Sequence, residues 1–276
     1  MPVLPIRFVD VNVTDLDRSV DFYTRHLQLP VIDTAALDAD DAWLDAGPVV
    51  IRLHRRVDAT PSRWIGDDLQ LGFRHFGFGV TGLDERAELL HEAGVRFHLE
   101  PIDATGGVRI TFFYDPDGVL LEFIQGHIDY HNVANASLVE QVQARPAPAR
   151  PTFDHVAMTV RDQAATVDFY RRTLGFDVSG QLFQDHDPRG FEITYLHAGD
   201  TVIELFTFEA EKSPSPWSAA ETTIGFRHVG FAVGEPSSAT VDDVVRRLAE
   251  HGATPVTDSP CALVLDREGF PLRIEE

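Results

Sequence analysis

Four short segments of the chain alternate apolar and polar residues with a period of two, which is typical of half-buried strands. They are FVDVNV, HFGFGV, HVAMTV and HVGFAV. An amphipathic helical pattern follows each one: Leu16, Val20, Tyr23 and Leu27 fall on one helical face, and the same spacing recurs from Gln163. Further strand patterns and tight turns complete each segment. The pattern therefore predicts a β-α-β-β-β unit that occurs four times.

Three blocks of sequence recur in the same order in the two halves of the chain. The paired blocks are VNVTDLDRSVDFYTRHLQL and MTVRDQAATVDFYRRTLGF, GFRHFGFGV and GFRHVGFAV, and DPDGVLLEF and DREGFPLRI. Such self-similarity indicates a tandem duplication. We expect an N-terminal module over 1–127, a Pro/Ala/Arg-containing linker over 128–151 and a C-terminal module over 152–276, each with two units.

Composition narrows the class of partner. The formal net charge is −21, and nucleic acids and anionic membranes both require a basic surface, so neither is expected as a partner. The single Cys261 excludes an intramolecular disulfide framework. No apolar run approaches the length of a membrane span, and the N-terminus has no signal-peptide pattern. We therefore expect a cytoplasmic protein.

The repeated strand and helix phrase ending in DFY, the paired strand histidines and the DPDG hairpin resemble the vicinal oxygen chelate superfamily. That superfamily includes glyoxalase I, extradiol dioxygenases, fosfomycin-resistance proteins and bleomycin-binding proteins. The resemblance implies an α+β fold in which pairs of units form two cup-shaped mixed sheets. It also implies two ligand positions per unit, which in chain order are Phe8 and Arg52, His75 and Glu122, His155 and Glu204, and His228 and Arg273.

The metal site depends on which units pair. If neighbouring units pair, the second cup holds His155, Glu204, His228 and Arg273, and a guanidinium would lie beside the cation. If instead the two middle units pair with each other and the two outer units pair with each other, all the carboxylates fall in one cup and both arginines fall in the other. We favour this exchanged arrangement, in which one cup holds His75, Glu122, His155 and Glu204 and the other holds Phe8, Arg52, His228 and Arg273.

Glu122 and Glu204 support a metal in the first of these cups. Each is a lone carboxylate among apolar residues of a strand, where an unpaired charge would be costly. Two imidazoles and two carboxylates suit one divalent ion, and Zn, Ni, Co, Mn and Fe(II) all remain open.

Hairpin geometry predicts further residues near the ligands. A DPDG turn centred between Pro116 and Asp117 would put Thr111 opposite Glu122, with Arg109 and Phe113 on the same face as substrate-binding residues. By the same reasoning, Tyr195 and His197 would flank Glu204.

The resemblance implies a metal-dependent, glyoxalase-like isomerase or lyase that acts on a small substrate chelated through vicinal oxygens. Glu122 or Glu204 would be the catalytic base. An extradiol dioxygenase is an alternative, although Arg273 stands where that family has its terminal glutamate. A non-catalytic antibiotic-binding protein is a second alternative, with the Phe8 cup and Trp43 as its binding site. Both a monomer and a homodimer fit the sequence.

Overall fold

The computed structural model describes residues 3–33, 38–184, 186–217, 222–233, 239–257 and 261–276, and it has an α+β fold. The helices of this described part are α1 (Leu16–His26), α2 (Leu83–Glu92), α3 (Ala136–Gln143), α4 (Gln163–Leu174) and α5 (Val241–Glu250). Its strands are β1 (Ile6–Val13), β2 (Asp41–Asp45), β3 (Val50–Arg55), β4 (Gly72–Gly79), β5 (Phe97–Asp103), β6 (Arg109–Tyr114), β7 (Leu120–Gln125), β8 (Asn132–Val133), β9 (Thr152–Thr159), β10 (Asp177–Gln184), β11 (Phe191–Ala198), β12 (Thr201–Thr207), β13 (Gly225–Ala232), β14 (Thr254–Pro255), β15 (Ala262–Leu265) and β16 (Pro271–Glu275).

The strands form two mixed sheets, each built from both halves of the chain. The nine-stranded sheet has the order β5-β6-β7-β4-β9-β12-β11-β10-β8, and the seven-stranded sheet has the order β14-β15-β16-β13-β1-β3-β2. Unit two therefore pairs with unit three through β4 and β9, and unit one pairs with unit four through β1 and β13. This is the exchanged arrangement. We call the nine-stranded sheet the inner cup and the seven-stranded sheet the outer cup.

Local sequence signals account for the helix ends. Asp15 and Asp162 are the N-caps of α1 and α4, where their side chains accept hydrogen bonds from backbone N–H groups of the first turn. Gly175 ends α4 in the left-handed region with φ 76°, which glycine adopts without strain. The corresponding position after α1 is Gln28, which has φ 54°.

The repeated DFY and DPDG-like motifs contact each other within each module. The hydroxyl of Tyr23 on α1 donates to Asp115 in the turn before β7 at 3.1 Å. Tyr170 on α4 donates to Asp266 in the equivalent turn at 2.8 Å. Burial raises the pKa of each aspartate to about 6. These motifs therefore join the two units of a module, and both pairs belong to the packing of the fold.

The hairpin between β6 and β7 differs from its predicted register by one residue. The Asp115 N–H donates to the Val119 carbonyl, which leaves a three-residue loop that ends in Gly118 at φ 88°. Phe112 therefore lies opposite Glu122, and Thr111 lies opposite Phe123. Successive strand residues point to opposite faces, so the shift moves every predicted neighbour of Glu122 on β6 to the other face.

The prediction that Arg109, Thr111 and Phe113 line the site is thus wrong. Arg109 binds Asp84 on α2 and Asp103 on β5. Thr111 donates to the Leu99 carbonyl, and Phe113 belongs to the hydrophobic core behind the sheet.

The segment between the modules contains regular structure. Strand β8 pairs with β10 at the edge of the inner cup, and the helix α3 follows it. The module boundaries derived from the repeats stay a prediction, because each sheet takes strands from both modules. No helix among the described residues is long and apolar enough to cross a membrane.

Candidate metal centre

Four neighbouring strands at the middle of the inner cup each carry one side chain of a compact cluster. His75 lies on β4, Glu122 on β7, His155 on β9 and Glu204 on β12. All four side chains are buried, and one potential ligand atom from each lies within 4.8 Å of the other three. The structure thus brings together the complete set of residues proposed as metal ligands.

The ligand atoms converge on Glu122. Its Oε2 lies 2.9 Å from Nε2 of His75 and 2.9 Å from Nε2 of His155. The two Nε2 atoms are 3.2 Å apart, and Oε2 of Glu204 is 3.8 Å from Nε2 of His155. Two imidazole nitrogens at such a distance have room for only one proton between them. An electron-pair acceptor shared by all four groups would satisfy them together.

Strand register and one glycine make this convergence possible. On β4, Gly77 lies level with Glu122 on one side and with His155 on the other. A Cβ atom at Gly77 would collide with the imidazole ring of His155. The ring can therefore lie across β4 towards Glu122 only because residue 77 has no side chain.

Burial changes the protonation of the cluster. It lowers the pKa of His75 to about 4 and raises that of Glu204 to about 8. Burial also acts against charge on His155 and Glu122, but the two carboxylates raise the pKa of His155, and the two histidines lower that of Glu122. The imidazole of His75 is therefore neutral and lies next to the ionised carboxylate of Glu122.

The donor set fits a divalent cation. Nε2 of both histidines faces the carboxylates, and Nδ1 of His155 bonds to Asp154 at 2.9 Å, a contact that fixes the ring orientation. Nδ1 of His75 is buried and has no hydrogen-bond partner. Two neutral imidazoles and two carboxylates carry two negative charges, which would neutralise a divalent ion, and nitrogen and oxygen ligands of this kind suit zinc and similar metals.

A cavity of about 970 Å³ adjoins the cluster at Glu204. Tyr195 and His197 on β11 line it, and Tyr195 lies directly opposite Glu204, as the register prediction required. Two further groups of lining residues were missed by the sequence analysis. They are Tyr130 and Asp154, and the linker residues Val139, Val142 and Arg145. Nothing in their local sequence marks them, because they reach the cavity through contacts between distant parts of the chain.

The outer cup has the same strand arrangement but a different content. Phe8 lies over Gly230, where a Cβ atom would collide with its ring, just as His155 lies over Gly77. The guanidinium of Arg52 stacks on the Phe8 ring at 3.5 Å and lies 4.4 Å from the centre of the Trp43 ring.

Glu275 pairs with Arg52 at 2.8 Å and also with Arg273, and the remaining positive groups of the outer cup are neutralised by Asp10. Asp10 is 1% exposed, and its carboxylate accepts hydrogen bonds from three side chains. These bonds come from His54 at 3.1 Å, His228 at 3.2 Å and Arg273 at 3.0 Å. The cup is therefore filled by its own side chains, and Phe8, Arg52 and Arg273 provide no metal-binding carboxylate or imidazole.

These features define a class of protein. The sequence profile of the Glyoxalase/Bleomycin resistance protein/Dioxygenase superfamily matches residues 6–123 and 152–263. The chain therefore belongs to this superfamily, with one matched region in each half.

The individual relatives point towards glyoxalases. The chain is 33% identical over 126 residues to the uncharacterized protein YwkD of Bacillus subtilis, a match that covers 44% of this chain and 95% of YwkD. It is 30% identical over 172 residues to a probable chloroplastic lactoylglutathione lyase of Arabidopsis thaliana, covering 60% of this chain but only 43% of that protein. Glyoxalase I from Zea mays has the same fold, with a TM-score of 0.66, 20% identity and coverage of 98% of this chain and 91% of the maize chain.

Proposed function

We propose that the protein is a metal-dependent, glyoxalase-like lyase or isomerase that acts on a small substrate bearing two neighbouring oxygens. The observation that carries the proposal is the buried cluster of His75, Glu122, His155 and Glu204 beside a cavity. Membership of the superfamily and the lactoylglutathione lyase names of several relatives support the reaction class.

The four residues would hold one divalent ion, which would polarise the substrate oxygens and stabilise the negative charge that develops when a neighbouring C–H bond breaks. All four side chains are buried, so little solvent reaches the cluster. This strengthens the electrostatic interactions within the site. Zn, Ni, Co, Mn and Fe(II) all suit these ligands.

Glu204 is the better candidate for the catalytic base. It lines the cavity, whereas Glu122 is enclosed by the two histidines and does not. Glu204 also lies farther from His155 than Glu122 does, and burial raises its pKa to about 8, so that it holds a proton more readily than an ordinary carboxylate. It would take a proton from a carbon next to a substrate carbonyl and return it to the adjacent carbon.

A matched pair of variants tests the metal centre. His75 and His228 occupy equivalent places in the two cups, because each lies on the first strand of its unit and pairs with the neighbouring first strand. In wild type and in His228→Asn, elemental mass spectrometry of the purified protein should find about one divalent ion per chain. In His75→Asn the ion should be lost. Equal metal contents in the two variants, or a protein that takes up no ion after reconstitution, would rule out the proposed site.

Catalysis is tested separately by proton exchange. Wild type in deuterated water should introduce deuterium next to the carbonyl of a small hydroxyketone, as seen by nuclear magnetic resonance. Glu204→Gln, compared at a metal content equal to that of wild type, should lose this exchange by at least about 100-fold, since a positioned base contributes roughly 10² to 10⁴ in rate. A protein that binds metal but never exchanges a proton on any member of a hydroxyketone series would be a binding protein instead.

A further inference from the structure

The cavity beside Glu204 has a wall that does not belong to the sheet. Strands β4, β7, β9, β11 and β12 contribute one side. The other side comes from the linker, through α3 and the segment Arg145–Ala149 that follows it. The residues that connect the two modules in sequence therefore also border the candidate active site.

The helix α3 covers the cavity without packing on a core. None of its eight residues is buried, and a helix of this length is not stable in isolation. Its ends are held instead: Asn135 donates to Asp177 at 2.8 Å, and Arg145 bonds to Asp200 at 3.1 Å. Between these contacts, Val139 and Val142 both line the cavity.

Val139 and Val142 are three residues apart and so share one face of α3. Both are only half-buried. An apolar helix face that borders a cavity gains its burial when a ligand fills the space. The linker thus presents an apolar surface to any molecule bound next to Glu204.

His197 is a buried polar group of this cavity whose ring nitrogens lack hydrogen-bond partners. Its side chain is on the cavity wall and only 4% of the residue is exposed. Neither ring nitrogen has a hydrogen-bond partner of good geometry, with only a weak contact to the Gly199 backbone. Burial lowers its pKa, so the ring is neutral and offers one donor and one acceptor. A buried imidazole in this state is stabilised by a ligand that bonds to it.

The charges of the cavity favour an uncharged ligand. Its carboxylates are those of Asp154, Asp200 and Glu204, and its guanidinium is that of Arg145, which is already paired with Asp200. An anionic ligand would find no unpaired guanidinium or ammonium group among these lining residues, and the net charge of −21 would repel it. A cation would lose its hydration against a mainly apolar lining.

We propose that linker residues 136–149 form a wall of the substrate pocket, and that this pocket takes an uncharged molecule with an apolar body. The apolar body lies against Val139 and Val142, and a polar atom of the same molecule forms a hydrogen bond with His197. This inference rests on the proposed function, because it treats the cavity as the substrate pocket of the metal centre.

Two dyes that differ by one sulfonate test the charge preference. They are the neutral N-phenyl-naphthylamine and its anionic counterpart anilinonaphthalene sulfonate, each excited directly and titrated with the full-length protein. We expect the neutral dye to bind at least about 10-fold more tightly, which corresponds to about 1.4 kcal/mol. Equal or tighter binding of the sulfonate would overturn the charge argument.

Two tryptophan variants test the wall. Val142→Trp narrows the cavity and should weaken the neutral dye by about 10-fold or more. Gln141→Trp adds the same side chain at the neighbouring exposed position, which does not line the cavity, and should leave the affinity unchanged. Val139→Trp provides a second variant of the same face if circular dichroism shows that Val142→Trp disturbs the fold. Equal affinities among the three variants would show that the linker is not a wall.

His197→Phe keeps an aromatic ring at this position but removes both ring nitrogens. The neutral dye carries an N–H group, so we expect a loss of about 3-fold to 10-fold in its affinity. Unchanged affinity would remove His197 from the proposal.

The outcome is distinguishable from that of the proposed function. The dyes need no metal, so their binding reports on the pocket even if elemental analysis finds none. If metal is bound through His75 but Val142→Trp leaves the affinity for the dye unchanged, the proposed metal centre stands and the proposed linker wall is wrong. If Val142→Trp weakens dye binding in a protein that binds no metal, the proposed linker wall stands and the proposed metal-dependent enzyme is wrong.

Discussion

The inner and outer cups arrange the same strands in the same way but solve the problem of buried charge differently. In each cup two first strands pair antiparallel at the centre, and the ligand positions lie on them and on the strands at either side. The four equivalent pairs of residues, inner before outer, are His75 and His228, Glu122 and Arg273, His155 and Phe8, and Glu204 and Arg52.

The difference is a reversal of charge. Both carboxylates of the inner cup correspond to arginines in the outer cup, and Asp10 stands at the outer position where the inner cup has Ala157. The outer cup thereby contains its own cations and its own anions, Asp10 and Glu275, which neutralise one another. The inner cup has carboxylates at both of the arginine positions, and a bound metal ion would supply the positive charge. The two cups thus differ in the source of the positive charge, which is the chain itself in the outer cup and would be a metal ion in the inner cup.

The largest effect should follow the loss of Asp10. Asp10→Asn leaves the guanidinium of Arg273 and its histidine neighbours without their buried carboxylate, which we expect to cost about 3 to 5 kcal/mol in the free energy of unfolding. Urea denaturation measures this. The surface variant Asp168→Asn, which breaks an exposed pair with Arg172, serves as a control and should cause no measurable change. A small effect of Asp10→Asn would mean that the contacts of Asp10 with His54, His228 and Arg273 contribute little to the stability of the outer cup.

Removal of the metal should have the second-largest effect, and this effect should depend on the inner cup alone. With the free ion at about 100 times its dissociation constant, binding stabilises the folded protein by about 3 kcal/mol. A chelator should therefore lower the free energy of unfolding of wild type and of His228→Asn by this amount. It should have no effect on His75→Asn. The reverse pattern between the two histidine variants would place the metal in the outer cup.

Acid should weaken the contacts that Asp10 makes in the outer cup. Burial would raise the pKa of Asp10, but hydrogen bonds from His228 and His54, and the charges of His228 and Arg273, hold it well below its usual range. A carboxyl whose pKa is lowered by folding stabilises the protein above its unfolded pKa of about 4, and this stabilisation is lost as the pH falls below that value.

The difference in unfolding free energy between wild type and Asp10→Asn should accordingly be constant above about pH 5 and shrink below pH 4. Its slope is at most about 1.4 kcal/mol per pH unit for one group. Denaturation at a series of pH values measures it. A difference that stays constant down to about pH 2 would contradict the assigned role of Asp10.

The smallest effect should be equal in the two modules. Tyr23→Phe and Tyr170→Phe each remove one hydrogen bond to a buried turn aspartate that keeps its backbone donors, and each should cost about 1 kcal/mol. Tyr114→Phe, whose hydroxyl bonds to His98 in an exposed contact, is the control and should cost less. Clearly unequal losses in the two modules would mean that the repeated contact is not structurally equivalent.

The sequence predicted those features that depend on residue type and on repetition. The N-caps Asp15 and Asp162 are short-range signals of this kind, because each side chain accepts a hydrogen bond from a backbone N–H group three residues later. The residues His75, Glu122, His155 and Glu204 could be named because an ionisable group on an apolar strand stands out from its neighbours. Asp10 gives the same signal in FVDVNV but was missed, because the ligand positions that the resemblance implies do not include it.

The register of β6 could not be obtained in this way. The motif DPDG fits both a two-residue and a three-residue loop, and the choice depends on the left-handed Gly118. One residue in the loop decides which face of the strand Arg109, Thr111 and Phe113 occupy. The linker is a similar case, because the position of α3 over the cavity depends on contacts with Asp177 and Asp200 far along the chain.

The sequence by itself determined that four related units exist, which eight positions could carry ligands, and that the chain belongs in a glyoxalase-like class. Only the tertiary structure decided which units pair, which way the side chains on each hairpin point and which carboxylate faces the cavity. The physical reason is that strand pairing joins backbone groups that are alike in all four units. Their partners are selected by long-range packing and by the neutralisation of buried charge.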